Sequence, residues 1–332
     1  MVPVATLGAT GLAVSRLGLG LAAVGRPGYI NLGRERDLPG VRTPQALYAR
    51  SADLLDAARA AGVRYVDVAR SYGRAEEFLA RWLRERAVPP DACTIGTKWG
   101  YRYTAEWRVD AAVHEEKELS ASRFATQLAE SRALLGDRID LHQIHSATEQ
   151  AVQDQAVLRA LVEARRAGHY RATGLTLSGP TSARVLELAR AARVDGERVF
   201  DVVQATFNCL EPSLAAPLAA AHAAGLGVVV KEAVANGRLT ESNTRPEDAG
   251  LVQTLRGAAA ARGCGMTQLA LAFVLAHPWV DVVLSGAATV AQLGSHTAAL
   301  DVALDDDARA TLAGLVETPA RYWATRASLR WS

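Results

Sequence analysis

The segment VRYVDVARSYGRAEEFLARWLRERA (residues 63–87) joins a short apolar run to an amphipathic stretch. Residues 63–69 are rich in apolar and β-branched side chains, which is typical of a buried strand. Residues 74–87 predict a helix, because four apolar side chains recur on one helical face: Phe78, Leu79, Trp82 and Leu83. The segment therefore predicts a strand followed directly by a helix.

The same alternation runs along the whole chain. Helical periodicity is clear in residues 122–136 and 154–168. Eight apolar runs predict strands at residues 16–22, 63–69, 92–99, 139–145, 170–177, 200–207, 227–234 and 280–287. Eight strands alternating with helices, without a break in composition, predict an α/β protein with one (β/α)8 TIM barrel domain over residues 1–332. We also expect an N-terminal hairpin in residues 7–20 and long loops at the C-terminal face.

Composition excludes several classes of function. The 332 residues are 49% hydrophobic and 22% charged, and a net charge of +2 gives no bulk electrostatic reason to expect nucleic acid or an anionic membrane as partner. The N-terminus lacks the pattern of a signal peptide, and no apolar run is long enough to span a membrane. Three scattered cysteines predict neither a disulfide framework nor a zinc site. We expect a cytoplasmic protein, and homo-oligomerisation stays open.

Lysine is unusually rare in this chain. Of 37 basic residues, only three are lysine: Lys98, Lys117 and Lys231. Arginine and lysine differ in shape, hydration and pKa, so a position that has kept lysine among so many arginines is a candidate for a site that needs an ammonium group. The alternative is neutral drift.

Polar side chains collect where the predicted strands end, which is the catalytic face of a TIM barrel. Asp67 and Tyr72 follow the second strand, Lys98 ends the third and His145 ends the fourth. Later strands end with further polar residues: Thr176, Ser178, Gln204, Asn208, Lys231 and Glu232. Taken singly, these residues have structural explanations, such as a turn cap, an aromatic contact or a core histidine.

Together, the first four residues form an acid–base set. Asp67 would hold Lys98 charged, and we expect the Lys98 ammonium to lower the pKa of the Tyr72 phenol from its usual value of about 10. A neutral His145 could donate a hydrogen bond to a carbonyl oxygen and orient it. This chemistry suits proton transfer to or from an oxygen atom.

Two other motifs are discounted. His142 and His145 form an H-x-x-H pattern, but residues three apart on a strand face opposite sides, so no metal site is predicted. GLGLAA (18–23) fits a loose dinucleotide-binding fingerprint, yet turn residues rather than a helix follow it. The G-x-S-x-G motif of serine hydrolases does not occur.

An ordered set of segments resembles the aldo-keto reductase superfamily: LGATGLAVSRLGLG, YVDVARSYGRAE, TKWG, LAESRALLGDRIDLHQIHS, ATGLTLSG, VQATFN and ANGRLT. The resemblance implies a (β/α)8 barrel that binds NADP(H), or less often NAD(H), and a catalytic tetrad of Asp67, Tyr72, Lys98 and His145. Tyr72 would protonate a carbonyl oxygen while the nicotinamide donates hydride, and the reverse reaction would oxidise an alcohol.

The resemblance also implies cofactor contacts, which include Asp67, Thr176, Gln204, Lys231, Gly237, Leu239, Gly286 and Gln292. Three departures stand out. Leu177 replaces a usual asparagine, Lys231 stands where an aromatic platform is usual, and residues 285–296 lack the basic residue often found for a 2′-phosphate. NADP(H) remains the favoured cofactor over NAD(H). The Lys231 ammonium either pairs with Glu232 or meets a cofactor phosphate or an anionic substrate.

The expected substrate is a small aldehyde, ketone or sugar. Loops 22–41 and 99–120 and the tail RYWATRASLRWS (321–332) would wall its pocket, with Tyr72, Trp99, Tyr101 and His145 as contacts. Other aromatic residues, such as Trp107, Tyr322 and Trp323, either line the pocket or seal the barrel. Two alternatives stay open: a cofactor-binding regulatory or redox-sensing barrel with little turnover, and a lyase or epimerase that uses no hydride.

Overall fold

The computed structural model describes residues 1–40 and 42–332. Its strands are β1 (Val4–Thr6), β2 (Ala13–Ser15), β3 (Leu17–Gly20), β4 (Tyr65–Asp67), β5 (Thr94–Trp99), β6 (Tyr101–Tyr103), β7 (Glu115–Lys117), β8 (Leu141–Ile144), β9 (Ala172–Leu177), β10 (Arg193–Val194), β11 (Glu197–Arg198), β12 (Val202–Thr206), β13 (Gly227–Lys231) and β14 (Val282–Ser285). Its α-helices are α1 (Arg34–Asp37), α2 (Pro44–Ala61), α3 (Ala75–Glu85), α4 (Ala121–Leu135), α5 (Gln155–Arg166), α6 (Ser182–Ala191), α7 (Ala215–Ala223), α8 (Ala249–Ala260), α9 (Met266–Leu275), α10 (Val290–Ala298), α11 (Asp306–Ala313) and α12 (Pro319–Ser328).

Eight parallel strands form a closed barrel. In chain order they are β3, β4, β5, β8, β9, β12, β13 and β14, and β14 pairs with β3 to close the ring. Each lies within one of the eight predicted runs, so the predicted (β/α)8 TIM barrel is confirmed. Because the strands are parallel, their C-terminal residues meet at one rim.

The predicted N-terminal hairpin covers the opposite end of the barrel. Strands β1 and β2 pair with Val4 opposite Ser15, and the loop between them buries Leu7 and Leu12. These leucines pack against the barrel-floor residues Tyr65 and Leu141. A Cβ on Gly227 would come within 2.6 Å of Leu7 Cγ, so this close packing requires glycine there.

The helices form the outer layer of the barrel. Helix α3 buries the predicted apolar stripe against the strands, which confirms the helix expected over residues 74–87. Helix α4 starts after Ser120, whose hydroxyl accepts a hydrogen bond from the Arg123 amide, and it ends at Gly136. Helix α5 starts after Asp154, which caps two backbone amides. Both helices lie within one or two residues of the predicted spans.

Long segments cover the C-terminal rim, as expected. They are residues 21–43 (residue 41 lies outside the described residues), the β6–β7 hairpin, and α12 with its tail. The tail pairs with the first segment, because Ser332 N donates to Tyr29 O at 3.0 Å. Buried Arg34 reinforces this join by donating to the carbonyl oxygens of Ala23, Arg26, Pro27 and Ser332.

After β3, residues 21–33 form turns, so GLGLAA does not lead into a helix and the rejected dinucleotide fingerprint is indeed absent there. Among residues 1–40 and 42–332, no helix has both the length and the apolar character needed to cross a membrane.

Candidate active site

A cavity of about 590 Å³ opens at the C-terminal rim of the barrel. That volume is typical of small-molecule sites. Asp67, Tyr72 and His145 line one part of it, and Gly286 of the β14–α10 connection and Gln292 in the first turn of α10 also line it. The cavity is therefore walled both by strand ends and by the loops that cover them.

A buried ion pair lies at the floor of the site. Asp67 ends β4 and Lys98 lies on the neighbouring strand β5, where its Nζ donates to Asp67 Oδ1 and to the Val68 carbonyl oxygen at 3.0 Å. Gln204 Nε2 donates to the other carboxylate oxygen of Asp67 at 2.8 Å. Burial lowers the pKa of Lys98, and the Asp67 carboxylate opposes this effect. The ion pair is thus held in place by the Val68 carbonyl oxygen at the end of β4 and by Gln204 from a third strand, β12.

Tyr72 lies directly above this ion pair, with the Lys98 Nζ 4.7 Å from the centre of its ring. Burial, and secondly the charge of Asp67, raise the pKa of Tyr72 well above its ordinary value, while Arg26 opposes them. The sequence led us to expect that Lys98 would bring the pKa of Tyr72 below its usual value. This expectation is wrong for the enzyme without ligand, because burial and the charge of Asp67 raise that pKa. The phenol is protonated at neutral pH and can donate its proton.

His145 packs edge-to-face against Tyr72 at the cavity wall, with their ring centres 5.5 Å apart and their planes at 84°. Burial is the main reason that its pKa lies well below 6.5, and the charges of Lys98, Lys231, Arg26 and Lys117 add to it. The imidazole is consequently neutral at physiological pH.

His142 points the other way, as predicted. It packs between Phe124 and Tyr170 in the layer outside the strands. Burial lowers its pKa to about 3. The two histidines therefore do not converge on a common site, and no group of three metal-binding side chains occurs in the described part of the chain.

Lys231 ends β13 and lines the cavity. Its Nζ donates to the hydroxyl oxygens of Ser178 at 2.9 Å and Thr206 at 2.7 Å. Glu232 Oε1 lies 3.8 Å away, but Arg326 holds that carboxylate with donors at 2.6 and 3.1 Å. The ammonium therefore lines the pocket and forms an ion pair with Glu232, while its contact with a cofactor phosphate or an anionic substrate stays a prediction.

Several residues on the cavity wall were not predicted. Arg26 is buried, its guanidinium carbon lies 5.3 Å from the centre of the Tyr72 ring, and it forms an ion pair with Glu115. Trp331 packs on Arg26 from the tail side. Lys117, on β7, donates to the Ser146 carbonyl oxygen at 2.6 Å. Of these residues, only Lys117 could have been singled out from the sequence, because it is one of only three lysines in the chain.

Three predicted contact residues lie off the cavity wall. Trp99 is fully buried against Phe124, because Lys98 points into the barrel and the next residue of a strand must point out. Thr176 is buried and accepts a hydrogen bond from Ser146 N at 2.7 Å, so it supports the turn after His145 instead. Leu239 packs in a separate apolar cluster beneath α8 and α9. Trp107, Tyr322 and Trp323 also lie off the wall.

The other predicted cofactor positions line the cavity: Asp67, Gln204, Lys231, Gly237, Gly286 and Gln292. Next to Gly237, the buried Oδ1 of Asn236 has no hydrogen-bond partner in the described structure, so it is available to a ligand. A Cβ on Gly286 would meet no atom within 4 Å, so the wall is open there. These features fit an extended polar ligand such as a dinucleotide.

Comparison with known proteins agrees with this geometry. The model of the aldo/keto reductase family matches residues 30–317. The chain belongs to this family. Its members use nicotinamide cofactors, usually NADPH, and membership supports a carbonyl-reducing oxidoreductase.

Individual relatives are distant in sequence. The chain is 26% identical over 309 residues to the uncharacterised oxidoreductase YqkF of Bacillus subtilis (strain 168), covering 86% of this chain and 87% of that protein. The holo form of aldo-keto reductase AKR11C1 from Bacillus halodurans superimposes with a TM-score of 0.73 at 21% identity, covering 96% and 97% of the two chains. The structure of PA4992 of Pseudomonas aeruginosa superimposes with a TM-score of 0.64 at 24% identity, covering 89% of this chain and 94% of that chain. At such identities the structures support the fold alone.

Proposed function

We propose that this aldo-keto reductase reduces an aldehyde or ketone with NADPH, or catalyses the reverse oxidation, with Tyr72 as the general acid and base. The observation that supports it most is the meeting of Asp67, Lys98, Tyr72 and His145 at one part of a cavity large enough for a small molecule. Tyr72 and His145 both face the space in which a carbonyl oxygen would lie.

Each residue of this set has a distinct role. The protonated phenol of Tyr72 donates its proton to the carbonyl oxygen as the nicotinamide, when bound, supplies the hydride. Neutral His145 donates a hydrogen bond that orients the same oxygen. The Lys98 ammonium, fixed by Asp67, stabilises the phenolate that remains. In the oxidation direction, this phenolate accepts the proton of the alcohol.

The cofactor would lie along the wall formed by Gln204, Gly237, Gly286 and Gln292. On α10, burial lowers the pKa of His296 to about 4, so this side chain is neutral at physiological pH. Neither Gln292 nor Ser295 carries a charge. The preference for NADP(H) over NAD(H) therefore rests on family usage rather than on a cation at these positions.

We further propose that the protein forms a single domain over residues 1–332, is located in the cytoplasm and acts on a small-molecule substrate. None of these depends on the identity of the substrate.

Fluorescence titration with NADPH and NADH, followed by a turnover assay on a panel of aldehydes and ketones, tests the proposal. We expect cofactor binding and substrate-dependent oxidation of the reduced cofactor. Binding without turnover on any carbonyl or alcohol would favour the regulatory barrel. Failure to bind either cofactor would contradict hydride transfer and favour a lyase or epimerase.

A further inference from the structure

The three lysines of this chain converge on one place. Lys98, Lys117 and Lys231 come from three different strands, and all three lie near enough to His145 to affect its charge state. The chain uses arginine at 34 other basic positions. An ammonium is a compact point charge, whereas a guanidinium is wide and planar, so a narrow pocket favours lysine.

The cations around this pocket differ in whether a carboxylate neutralises them. Lys98 is paired with Asp67, Arg26 with Glu115, and Arg326 with Glu232 through two of its nitrogen atoms. These three pairs account for three cations and three carboxylates, and they contribute no net charge.

Lys231 and Lys117 differ from these pairs. Lys231 hydrogen-bonds only to hydroxyl oxygens within the described structure, and the nearby Glu232 is already held by Arg326. Lys117 donates to a backbone carbonyl oxygen, and no described carboxylate forms an ion pair with it. Lys117 therefore borders the cavity without an anion of its own, and Lys231 shares the single carboxylate of Glu232 with Arg326. Arg34 also lines the cavity, but all its hydrogen bonds go to carbonyl oxygens of the rim segments.

Both ammonium groups lie at the part of the cavity where the proposed chemistry occurs. Lys231 is near enough to Lys98 and Asp67 for their charges to shift its own pKa. Lys117 lies 5.5 Å from the Tyr101 ring centre, and that ring is 4.9 Å from the His145 ring. An anionic group attached to the reacting carbonyl compound would therefore lie near Lys231, which shares its carboxylate with Arg326, and near Lys117, which has no carboxylate partner in the described structure.

We propose that the substrate is an anionic carbonyl compound whose carboxylate or phosphate group binds to Lys231, with Lys117 as a second contact. This inference deepens the proposed function and rests on it for the reaction. It assigns Lys231 to substrate specificity rather than to the cofactor.

Two pairs of substrates test the inference, of which the first differs in charge but hardly in size and the second differs by one phosphate group. The first pair is 4-carboxybenzaldehyde and 4-carbamoylbenzaldehyde, and the second is glyceraldehyde 3-phosphate and glyceraldehyde. We expect wild-type kcat/KM to favour the anion of at least one pair, and the preferred pair identifies the anionic group. In Lys231→Met this preference should fall by about 10- to 100-fold, the effect of losing one charged hydrogen bond.

Two controls make the result specific. Arg256→Met removes a positive charge from the exposed face of α8, and it should leave the preference unchanged. Titration with NADPH should give the same Kd for wild type and Lys231→Met. A weaker NADPH affinity with an unchanged substrate preference would assign Lys231 to the cofactor and overturn the inference, as would equal kcat/KM within both pairs in the wild type.

A binding measurement separates this inference from the proposed reaction. Calorimetric titration with benzoate and benzamide requires no turnover. If no carbonyl compound is reduced but benzoate binds better than benzamide in a Lys231-dependent way, the reaction is wrong and the anion site stands. If carbonyl compounds are reduced without regard to charge, the reaction stands and the anion site is wrong.

Discussion

At the scale of single residues, the site holds its proton on Tyr72. Burial and the charge of Asp67 disfavour the phenolate in the free enzyme, so the phenol is ready to donate. The adjacent Lys98 ammonium becomes most valuable after the proton has left, when it faces a phenolate. The same four side chains therefore serve both directions of the reaction: Tyr72 acts as a neutral phenol in reduction and as a phenolate in oxidation.

Lys231 gives the site a pH dependence. Burial is the main reason that its pKa falls to about 8; Arg326 and Lys98 lower it further, whereas Glu232 and Asp67 oppose the shift. Below this pH the side chain is an ammonium that attracts an anion, and above it the side chain is neutral. The carboxylate of 4-carboxybenzaldehyde is ionised throughout this range.

We therefore expect the preference for 4-carboxybenzaldehyde over its amide to decline as pH rises through about 8. The ratio of the two kcat/KM values, measured from about pH 6 to about pH 10, reports this change independently of other ionisations that affect both substrates. Lys231→Arg is the matched variant, because a guanidinium stays charged over the whole range. A wild-type ratio that does not vary with pH would show that Lys231 does not bind the anion.

The sequence was sufficient to predict which side chains meet at the floor of the site, because parallel strand ends converge at one rim. It misplaced Trp99, although strand alternation already implies that Lys98 and Trp99 face opposite sides. It also could not supply the sign of the Tyr72 pKa shift, which depends on the contacts that bury the phenol and on the charge of Asp67. Those contacts are set by tertiary structure alone.

At the scale of secondary structure, buried elements were easier to predict than surface loops. All eight barrel strands and the helices α3, α4 and α5 follow from hydrophobic periodicity, since each buries an apolar face. The β6–β7 hairpin has no such pattern, because its strands are largely exposed. Its register, with Tyr101 opposite Lys117, is nevertheless what carries the third lysine to the site.

At the scale of the whole molecule, a buried arginine joins the loop after β13 to the C-terminal segment. Arg238 Nη2 donates to Asp248 Oδ1 at 2.7 Å and to Glu317 Oε1 at 2.8 Å. All three side chains are at most 9% exposed. This triad fixes the base of α12, whose Arg326 in turn reaches the active site.

We expect Arg238→Met to lower the free energy of unfolding by about 3–5 kcal/mol, because it leaves two buried carboxylates without their partner. Arg321→Met is the matched control, since Arg321 also approaches Glu317 but is 69% exposed, and its loss should cost less than about 1 kcal/mol. Urea denaturation of both variants measures the difference. If Arg238→Met and Arg321→Met lost equal stability, the buried triad would not contribute significantly to the stability of the fold.

Proton transfer by Tyr72 is central to the proposed mechanism. A Tyr72→Phe substitution tests it directly, because it removes only the hydroxyl group. We expect Tyr72→Phe to reduce kcat for NADPH-dependent aldehyde reduction by about 10²- to 10⁴-fold without changing the Kd for NADPH. Tyr170→Phe is the control, because it also removes a buried hydroxyl, one that donates to the Leu161 carbonyl oxygen. Neither residue lines the cavity, so kcat of this variant should match wild type. Wild-type turnover by Tyr72→Phe would contradict the mechanism.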